Sequence, residues 1–321
     1  GVNVISQAAL SRYDHRLPYR KIADRFEQLH GLELSGASAW HATERAARAG
    51  RCEYEQIRRQ IQQAEIVHVD ETGIKREGEQ AWIWTFRTGE HTLYAVRESR
   101  GSDVPAEVLG EDFAGTVICD GWTAYPAFTS NLQRCWAHLL REAEDIASDH
   151  EEAEPVHRYL KQMFVGLQSW LETDPRPRER AQMHRSCQNG LRSLVERSVT
   201  DEAVATLLGK IEGGIDHWLT FVGEPAVSQT NNAAENALRA IHTKNFVESS
   251  TTMRCSHGIT LCRLSRLRGK LIRHTYQYLG QWLERDRVSR LTDGETIVPT
   301  ERQCTPDRTT ALRSVCQSVQ S

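Results

Sequence analysis

The first part of the chain has apolar residues at helical spacing. After Pro18 they recur three or four residues apart, which predicts a helix that Gly31 would end. Ser35 can cap a second helix, and a third is expected over residues 54–64. Two helices joined by a short turn with glycine form the outline of a helix-turn-helix, so residues 1–63 are predicted to be a helical, DNA-binding-like segment. Two packed helices without DNA contact are the alternative.

The pattern then changes to short runs rich in β-branched and aromatic residues. These runs predict strands over 65–69, 80–88, 91–97, 115–119 and 132–136. Gly89 and Glu90 would form a hairpin turn between the second and third strands, and a short helix is expected over 103–109. Three antiparallel strands, a helix and a further strand follow the order of a ribonuclease-H-like α/β core. Residues 64–136 are predicted to be its first part.

Helical periodicity returns in the second half of the chain. Residues 137–227 contain no convincing strand and are predicted to be a helical insertion, which the Thr173–Pro177 stretch divides. The helical region 228–290 is predicted to be the C-terminal part of the core. Beyond it the chain is polar and has no periodicity, so residues 291–321 are expected to be a disordered tail.

Three acidic residues lie where they could share one site. Asp70 and Asp120 each directly follow a predicted strand, and acids at the carboxyl ends of neighbouring strands face the crevice where α/β sheets bind ligands. Glu235 lies in a helix that Thr230 or Asn231 can cap, with a narrow alanine face suited to packing on a sheet. Taken singly, each acid is also compatible with an ordinary turn or an exposed helix position.

Carboxylates without histidine or cysteine ligands are typical of sites for hard cations. The three acids therefore predict a site for Mg²⁺ or Mn²⁺ with two ions, in which Asp70 would bridge both and Asp120 and Glu235 would bind one each. Such a pair of ions can activate an attacking hydroxyl and stabilise the leaving 3′ oxygen in phosphoryl transfer. This chemistry requires ionised acids, and the charge of the metal favours that state.

Charge is unevenly distributed in a chain whose formal net charge is −3. Residues 236–290 contain eleven Lys or Arg and three Asp or Glu, a local balance of +8. This pattern indicates one phosphate-binding face, although a solvated helix surface has the same signature. Arg141, Arg239 and Lys244 are the predicted phosphate contacts.

The sequence has no secretory signal and no apolar run of the ~18 residues needed to span a bilayer, so we expect a cytoplasmic protein with no membrane partner. Its eight cysteines are expected to be free thiols, and no CxxC pair supports a zinc ribbon. Cys135 and His138 form a lone CxxH, for which zinc would require two further ligands. We expect an accessory role beside the acids, with His138 near a phosphate or a carboxylate.

Five short motifs together resemble those of the IS66-type transposases: His68–Gly73, Ser99–Asp103, Asp120–Tyr125, Cys135–His138 and Asn231–Glu235. With similar flanking segments, the resemblance covers roughly residues 1–285. It implies a DDE catalytic triad of Asp70, Asp120 and Glu235 on a ribonuclease-H-like fold interrupted by a helical insertion. It also implies metal-dependent cleavage at transposon ends and strand transfer into target DNA, by a homodimer or larger assembly.

Departures from the family's pattern leave alternatives open. Asn236 follows Glu235 where the family usually has arginine, and Leu140 precedes Arg141 where it usually has two adjacent arginines. A truncated or degenerate remnant would bind DNA without metal-dependent cleavage. A related metal-dependent nuclease would cut DNA but not join it. A metal-free structural protein is disfavoured, because three acids in this order would then be a coincidence.

Overall fold

The computed structural model of the chain describes residues 1–76 and 78–241. Of the predicted helical region 228–290, the described residues therefore include only the part up to residue 241. The prediction for the tail, 291–321, and the predicted phosphate contact Lys244 lie outside the described residues. Within the described part, the chain divides into two compact units.

The first unit contains Gly1–His15 and Tyr19–Glu53 and is helical. The helices of this region are α1 (Val2–Tyr13), α2 (Tyr19–His30), α3 (Gly36–Ala49) and α4 (Arg51–Gln62), of which α4 continues into the second unit. The predicted turn between α2 and α3 is confirmed. Gly31 has a φ of 60°, and the Ser35 hydroxyl caps α3 by accepting a hydrogen bond from the Ser38 N–H at 3.0 Å.

The second unit, which contains Arg16–Pro18 and the described residues from Tyr54 onward, is built on a five-stranded mixed sheet. Its strands are β1 (Ile66–Arg76), β2 (Glu79–Arg87), β3 (Thr92–Arg97), β4 (Thr116–Cys119) and β5 (Leu132–Arg134). They are ordered β3-β2-β1-β4-β5 across the sheet. The first three strands are antiparallel neighbours, whereas β4 runs parallel to β1 and β5 parallel to β4. The predicted α/β class is confirmed.

Strand β1 is longer than the sequence predicts. The prediction ends it at Val69, with Asp70 directly after it, but the strand continues to Arg76. Its pairing with β4 stops at His68, whereas its antiparallel pairing with β2 continues to the end of the strand. The Glu-Thr-Gly sequence after Asp70 favours a turn locally, and the ladder with β2 overrides that preference. The prediction was therefore wrong in placing Asp70 after the strand, since it lies inside it.

Helices make up most of the rest of the second unit. They are α5 (Asp103–Leu109), α6 (Ala124–Phe128), α7 (Trp136–Asp149), α8 (Glu154–Leu171), α9 (Pro177–Val195), α10 (Glu202–Glu212), α11 (Ile215–Trp218), α12 (Thr220–Gly223) and α13 (Asn232–Ile241). The predicted helical character of residues 137–220 is confirmed, with the predicted break between α8 and α9. No helix in the described residues is long and apolar enough to cross a bilayer.

The pleat of the strands divides the core of this unit in two. Val117 and Cys119 of β4 belong to a cluster with residues of α4 and α5. Ile118, which lies between them and faces the other way, packs with Trp136 and Trp218 in a second cluster formed mainly by α7–α12. Because both faces of the sheet are covered, a ligand has access to the sheet at its strand ends.

Candidate functional site

The register of two parallel strands brings Asp70 and Asp120 side by side. His68 of β1 is paired with Ile118 of β4, and each acid lies two residues further along its chain. Neighbouring strands are about 4.8 Å apart, so the two acids occupy adjacent positions at one edge of the sheet. Asp120 directly follows β4, and its Oδ1 accepts a hydrogen bond from the Trp122 N–H at 2.8 Å. This bond shapes the turn that presents the Asp120 carboxylate.

Helix α13 is attached to β1 by the side chain of Asn231. Its Nδ2 donates to the Val69 carbonyl at 2.8 Å, and its Oδ1 is 3.2 Å from the Nδ1 of His68. Asn231 is one of the two residues predicted to cap α13, but only its backbone carbonyl takes part, accepting from the N–H groups of Ala234 and Glu235. The buried side chain instead holds the start of the helix beside β1.

The predicted alanine face of α13 is buried. Ala234 and Ala237 are almost inaccessible to solvent, and the Ala237 carbonyl accepts a hydrogen bond from the Tyr94 hydroxyl of β3 at 3.0 Å. Small side chains allow this close approach of the helix to the sheet. The charge of Glu235, in the first turn of the helix, is consequently close enough to Asp70 to affect its pKa.

Burial and neighbouring negative charges raise the pKa of Asp70 from 3.8 to about 7. Burial is the largest cause, followed by the charges of Glu71 and Asp120, and Glu235 adds a smaller contribution in the same direction. The Glu71 N–H, which donates to Asp70 Oδ1 at 3.0 Å, opposes the shift. The carboxyl group of Asp70 therefore lies in a field of negative charge to which both other predicted acids contribute.

Three basic side chains surround Glu235, whose own side chain is 15% exposed. Its Oε1 is 3.4 Å from an Nη of Arg141 and 3.6 Å from the Nδ1 of His138. Its Oε2 is 3.7 Å from an Nη of Arg239. Two of the predicted phosphate contacts, Arg141 and Arg239, thus lie at the carboxylate of α13, with more than half of each side chain exposed.

Cys135 and His138 lie beside the same carboxylate. The Sγ of Cys135, a ligand nitrogen of His138 and a carboxylate oxygen of Glu235 all lie within 4.8 Å of one another. The Cys135 thiol is buried, which raises its pKa, and its sulfur accepts a hydrogen bond from the Asn231 N–H at 3.1 Å. Cys135 therefore connects the start of α7 to the start of α13.

Sequence reasoning missed two charged residues next to the acids. Glu71 follows Asp70 directly, and its side chain is fully buried. Arg100 donates from Nε to Glu71 Oε1 at 2.9 Å, and the Tyr125 hydroxyl donates to Oε2. Burial raises the pKa of Glu71, and these two hydrogen bonds oppose the rise. The sequence signals for them were an acid directly after Asp70 and an arginine in the Ser99–Asp103 motif.

Taken together, these features define an α/β protein in which acids from two parallel strands and one helix converge at the edge of a sheet. Residues 1–253 match the family model described as the IS66 family of transposases. The chain belongs to this family. Membership of a transposase family makes DNA its partner and DNA processing its role. No curated protein matches the chain.

Proposed function

We propose that this chain is a DDE-type transposase whose active site consists of Asp70, Asp120 and Glu235. The observation that carries the proposal is the convergence of these acids. Two of them are adjacent through the parallel register of β1 and β4, and the third lies on a helix attached to β1 by Asn231. A ribonuclease-H-like core is the fold that we propose, because three antiparallel strands followed by two parallel ones, in the order β3-β2-β1-β4-β5, are what such a core requires.

The donor set fits Mg²⁺ or Mn²⁺. It offers oxygen ligands from carboxylates, which these hard cations prefer. The pKa of Asp70 is raised mainly by burial and further by neighbouring negative charges, and a bound cation would favour the ionised form. Asp70, Asp120 and Glu235 are the residues that would hold the metal. When bound, the ions would supply Lewis-acid activation of the attacking hydroxyl and stabilisation of the leaving 3′ oxygen.

The basic residues near Glu235 have a separate role in this proposal. Arg141 and Arg239 orient the Glu235 carboxylate through their ion pairs with it. Because more than half of each arginine side chain is exposed, both can also contact the phosphates of the bound strand. Lys244, outside the described residues, would extend this contact. Cleavage at both transposon ends and joining to target DNA require at least a homodimer in the DNA-bound state.

The proposal is tested by calorimetry with Mn²⁺ and by a plasmid-nicking and joining assay. We expect wild-type protein to bind Mn²⁺ and to nick DNA only with the metal. Asp70→Asn, Asp120→Asn and Glu235→Gln should each abolish nicking and weaken Mn²⁺ binding. Asp145→Asn, which removes an exposed acid from α7, is the matched control and should change neither.

The outcomes separate the alternatives. Mn²⁺ binding that survives all three substitutions would exclude the carboxylate site. Duplex DNA binding with no metal-dependent nicking by the wild-type protein would identify a non-catalytic remnant. Nicking without any joining of pre-cut transposon-end DNA would identify a nuclease. Each measurement is repeated with duplex DNA present, because phosphates complete the coordination of Mg²⁺ and Mn²⁺ in many sites of this kind.

A further inference from the structure

Arg100 lies between two aromatic rings beside the acids. It belongs to the Ser99–Asp103 motif, to which neither the triad nor the phosphate contacts assign a role. Its guanidinium carbon is 4.5 Å from the ring centroid of Trp82 and 3.9 Å from that of Trp122. These are cation–π distances, at which the ring faces attract and stabilise the cation.

Arg100 is also bonded to the strand that carries Asp70. Its Nε donates to Glu71 Oε1 at 2.9 Å, and the second oxygen of Glu71 accepts from the Tyr125 hydroxyl. The Glu71 N–H in turn donates to Asp70 Oδ1 at 3.0 Å. A buried carboxylate with both oxygens occupied cannot move without breaking these bonds, so Arg100 has a fixed partner on β1.

Arg100 also contacts the turn that carries Asp120. The Trp122 indole, besides its ring contact, donates from Nε1 to the Arg100 carbonyl at 3.1 Å. The backbone N–H of Trp122 donates to Asp120 Oδ1 at 2.8 Å. Trp122 is 37% exposed, so these contacts with Arg100, rather than burial in the core, hold it in place.

The loop that carries Arg100 is itself held by hydrogen bonds. The Ser99 hydroxyl donates to Asp103 Oδ1 at 2.7 Å and accepts from the Gly101 N–H at 3.0 Å. The Ser99 carbonyl accepts from Nε1 of Trp84, which is fully buried in β2. The loop therefore provides a fixed base for Arg100.

We propose that Arg100 is a positioning residue that fixes the Asp120 turn relative to the Asp70 strand. It does so by placing one planar cation between Trp82 and Trp122 while its Nε binds Glu71. The consequence for metal binding rests on the proposed function, but the connection between strand and turn does not. Arginine is required, because lysine carries the charge without a planar group that can stack on both rings and donate in its plane.

Hydrogen exchange of the full-length protein tests the connection without any activity assay. In Arg100→Lys and Arg100→Gln, we expect the amides of the peptide 119–125, which includes the Trp122 N–H, to exchange about tenfold faster, as expected for loss of ~1.4 kcal/mol of local stabilisation. The matched control is Arg97→Gln at the end of β3, which breaks an ion pair with Glu107 of α5 and leaves Asp70, Glu71 and Asp120 untouched. Its peptide 119–125 should exchange as in wild type.

Two further readouts complete the test. Exchange in β2 over residues 83–86 should be unchanged in the Arg100 variants, which shows that the sheet is intact. Wild-type exchange at 119–125 in Arg100→Lys would overturn the proposal, because charge alone would then suffice. Mn²⁺ affinity should fall about tenfold in Arg100→Lys while duplex binding is retained. If wild-type protein binds no Mn²⁺, the triad fails, and the exchange result still decides the role of Arg100.

Discussion

The carboxyl group of Asp70 has an electrostatic cost that is measurable as stability. Its folded-state pKa of about 7 lies above the ordinary 3.8, so between these values the folded protein keeps a proton that the unfolded chain has released. A carboxyl group whose pKa is raised in the folded state has little effect on the free energy of unfolding below about pH 4. It lowers that free energy increasingly as the pH rises to 7. Without metal, the free energy of unfolding therefore falls through this window.

Asp70→Asn is expected to remove this penalty. In EDTA the variant should be more stable than wild type by roughly 2–4 kcal/mol at pH 8 and by about 1 kcal/mol or less at pH 4.5. Urea unfolding at both pH values measures the difference. Asp145→Asn, on the exposed face of α7, is the control and should change the stability at pH 8 by no more than about 0.5 kcal/mol. A wild-type protein more stable than Asp70→Asn at pH 8 in EDTA would contradict the raised pKa.

At the scale of single residues, the sequence identified candidate acids but not the residues that surround them. Asp70 and Asp120 could be recognised because each comes at the end of an apolar run. Glu71 and Arg100 could not, because the pairing of a buried carboxylate with an arginine 29 positions away depends on tertiary contacts. The register of β1 and β4, which sets the two acids side by side, is likewise absent from any local pattern.

Among the secondary structure elements, β4 is directly preceded by Gly115, a glycine that no other residue could replace without strain. A Cβ on Gly115 would lie 2.4 Å from the Ala64 carbonyl oxygen and 2.9 Å from that of Glu65. The Glu65 carbonyl also accepts the Thr116 N–H at 2.8 Å, which starts the pairing of β4 with the chain before β1. The close approach of two backbones here determines the register on which the adjacency of the acids depends.

Gly115→Ala is expected to lower stability by about 1–3 kcal/mol, because backbone atoms must move to accept the methyl group. Gly209→Ala, inside α10, is the control, since nothing lies within 4 Å of its Cβ position. This second change should stabilise the protein by about 0.5–1 kcal/mol, as alanine is the better helix former. Thermal unfolding of both variants decides the matter, and equal effects in the two would refute the steric argument.

Asn231 joins helix α13 to strand β1, and its loss should affect stability and site together. Asn231→Ala removes the bonds to the Val69 carbonyl and to His68, and we expect a cost of about 1–3 kcal/mol. Asn236→Ala, an exposed change on the same helix, should be nearly neutral. Chemical denaturation gives the cost. Hydrogen exchange at the start of α13 should increase only in the first variant, and unchanged exchange there would argue against the anchoring role.

Element boundaries were predictable wherever local chemistry agreed with the tertiary structure. The helix 103–109 and the turn at Gly31 follow local signals, and both are found as predicted. The end of β1 was wrong, because its ladder with β2 continues through residues that favour a turn. Asn231 was likewise predicted to cap α13, because asparagine is a common helix cap. Its side chain instead makes a contact between elements that are far apart in sequence.

Within the second unit as a whole, helices α7–α12, the region predicted to be an insertion, share a core with the sheet. Trp136, the first residue of α7, is fully buried, and it stacks on Phe164 of α8 with ring centroids 5.4 Å apart. Its Nε1 donates to the Trp218 carbonyl at 2.5 Å. The Gln133 side chain of β5 donates to the same carbonyl at 3.2 Å. The insertion is therefore part of the structure that holds β4 and β5, rather than an attached lobe.

Shared packing of this kind predicts that sheet and insertion lose stability together. Trp136→Ala should cost roughly 3–5 kcal/mol, because it removes a large buried ring from the contact between them. The free energy of opening, measured by hydrogen exchange, should fall by the same amount in peptides from β4 (117–119) and from α10 (207–211). Val165→Ala, on the exposed side of α8, is the control and should change neither. Faster exchange in α10 with β4 unaffected would show instead that the insertion opens independently, and Asp120 would then be insulated from changes in it.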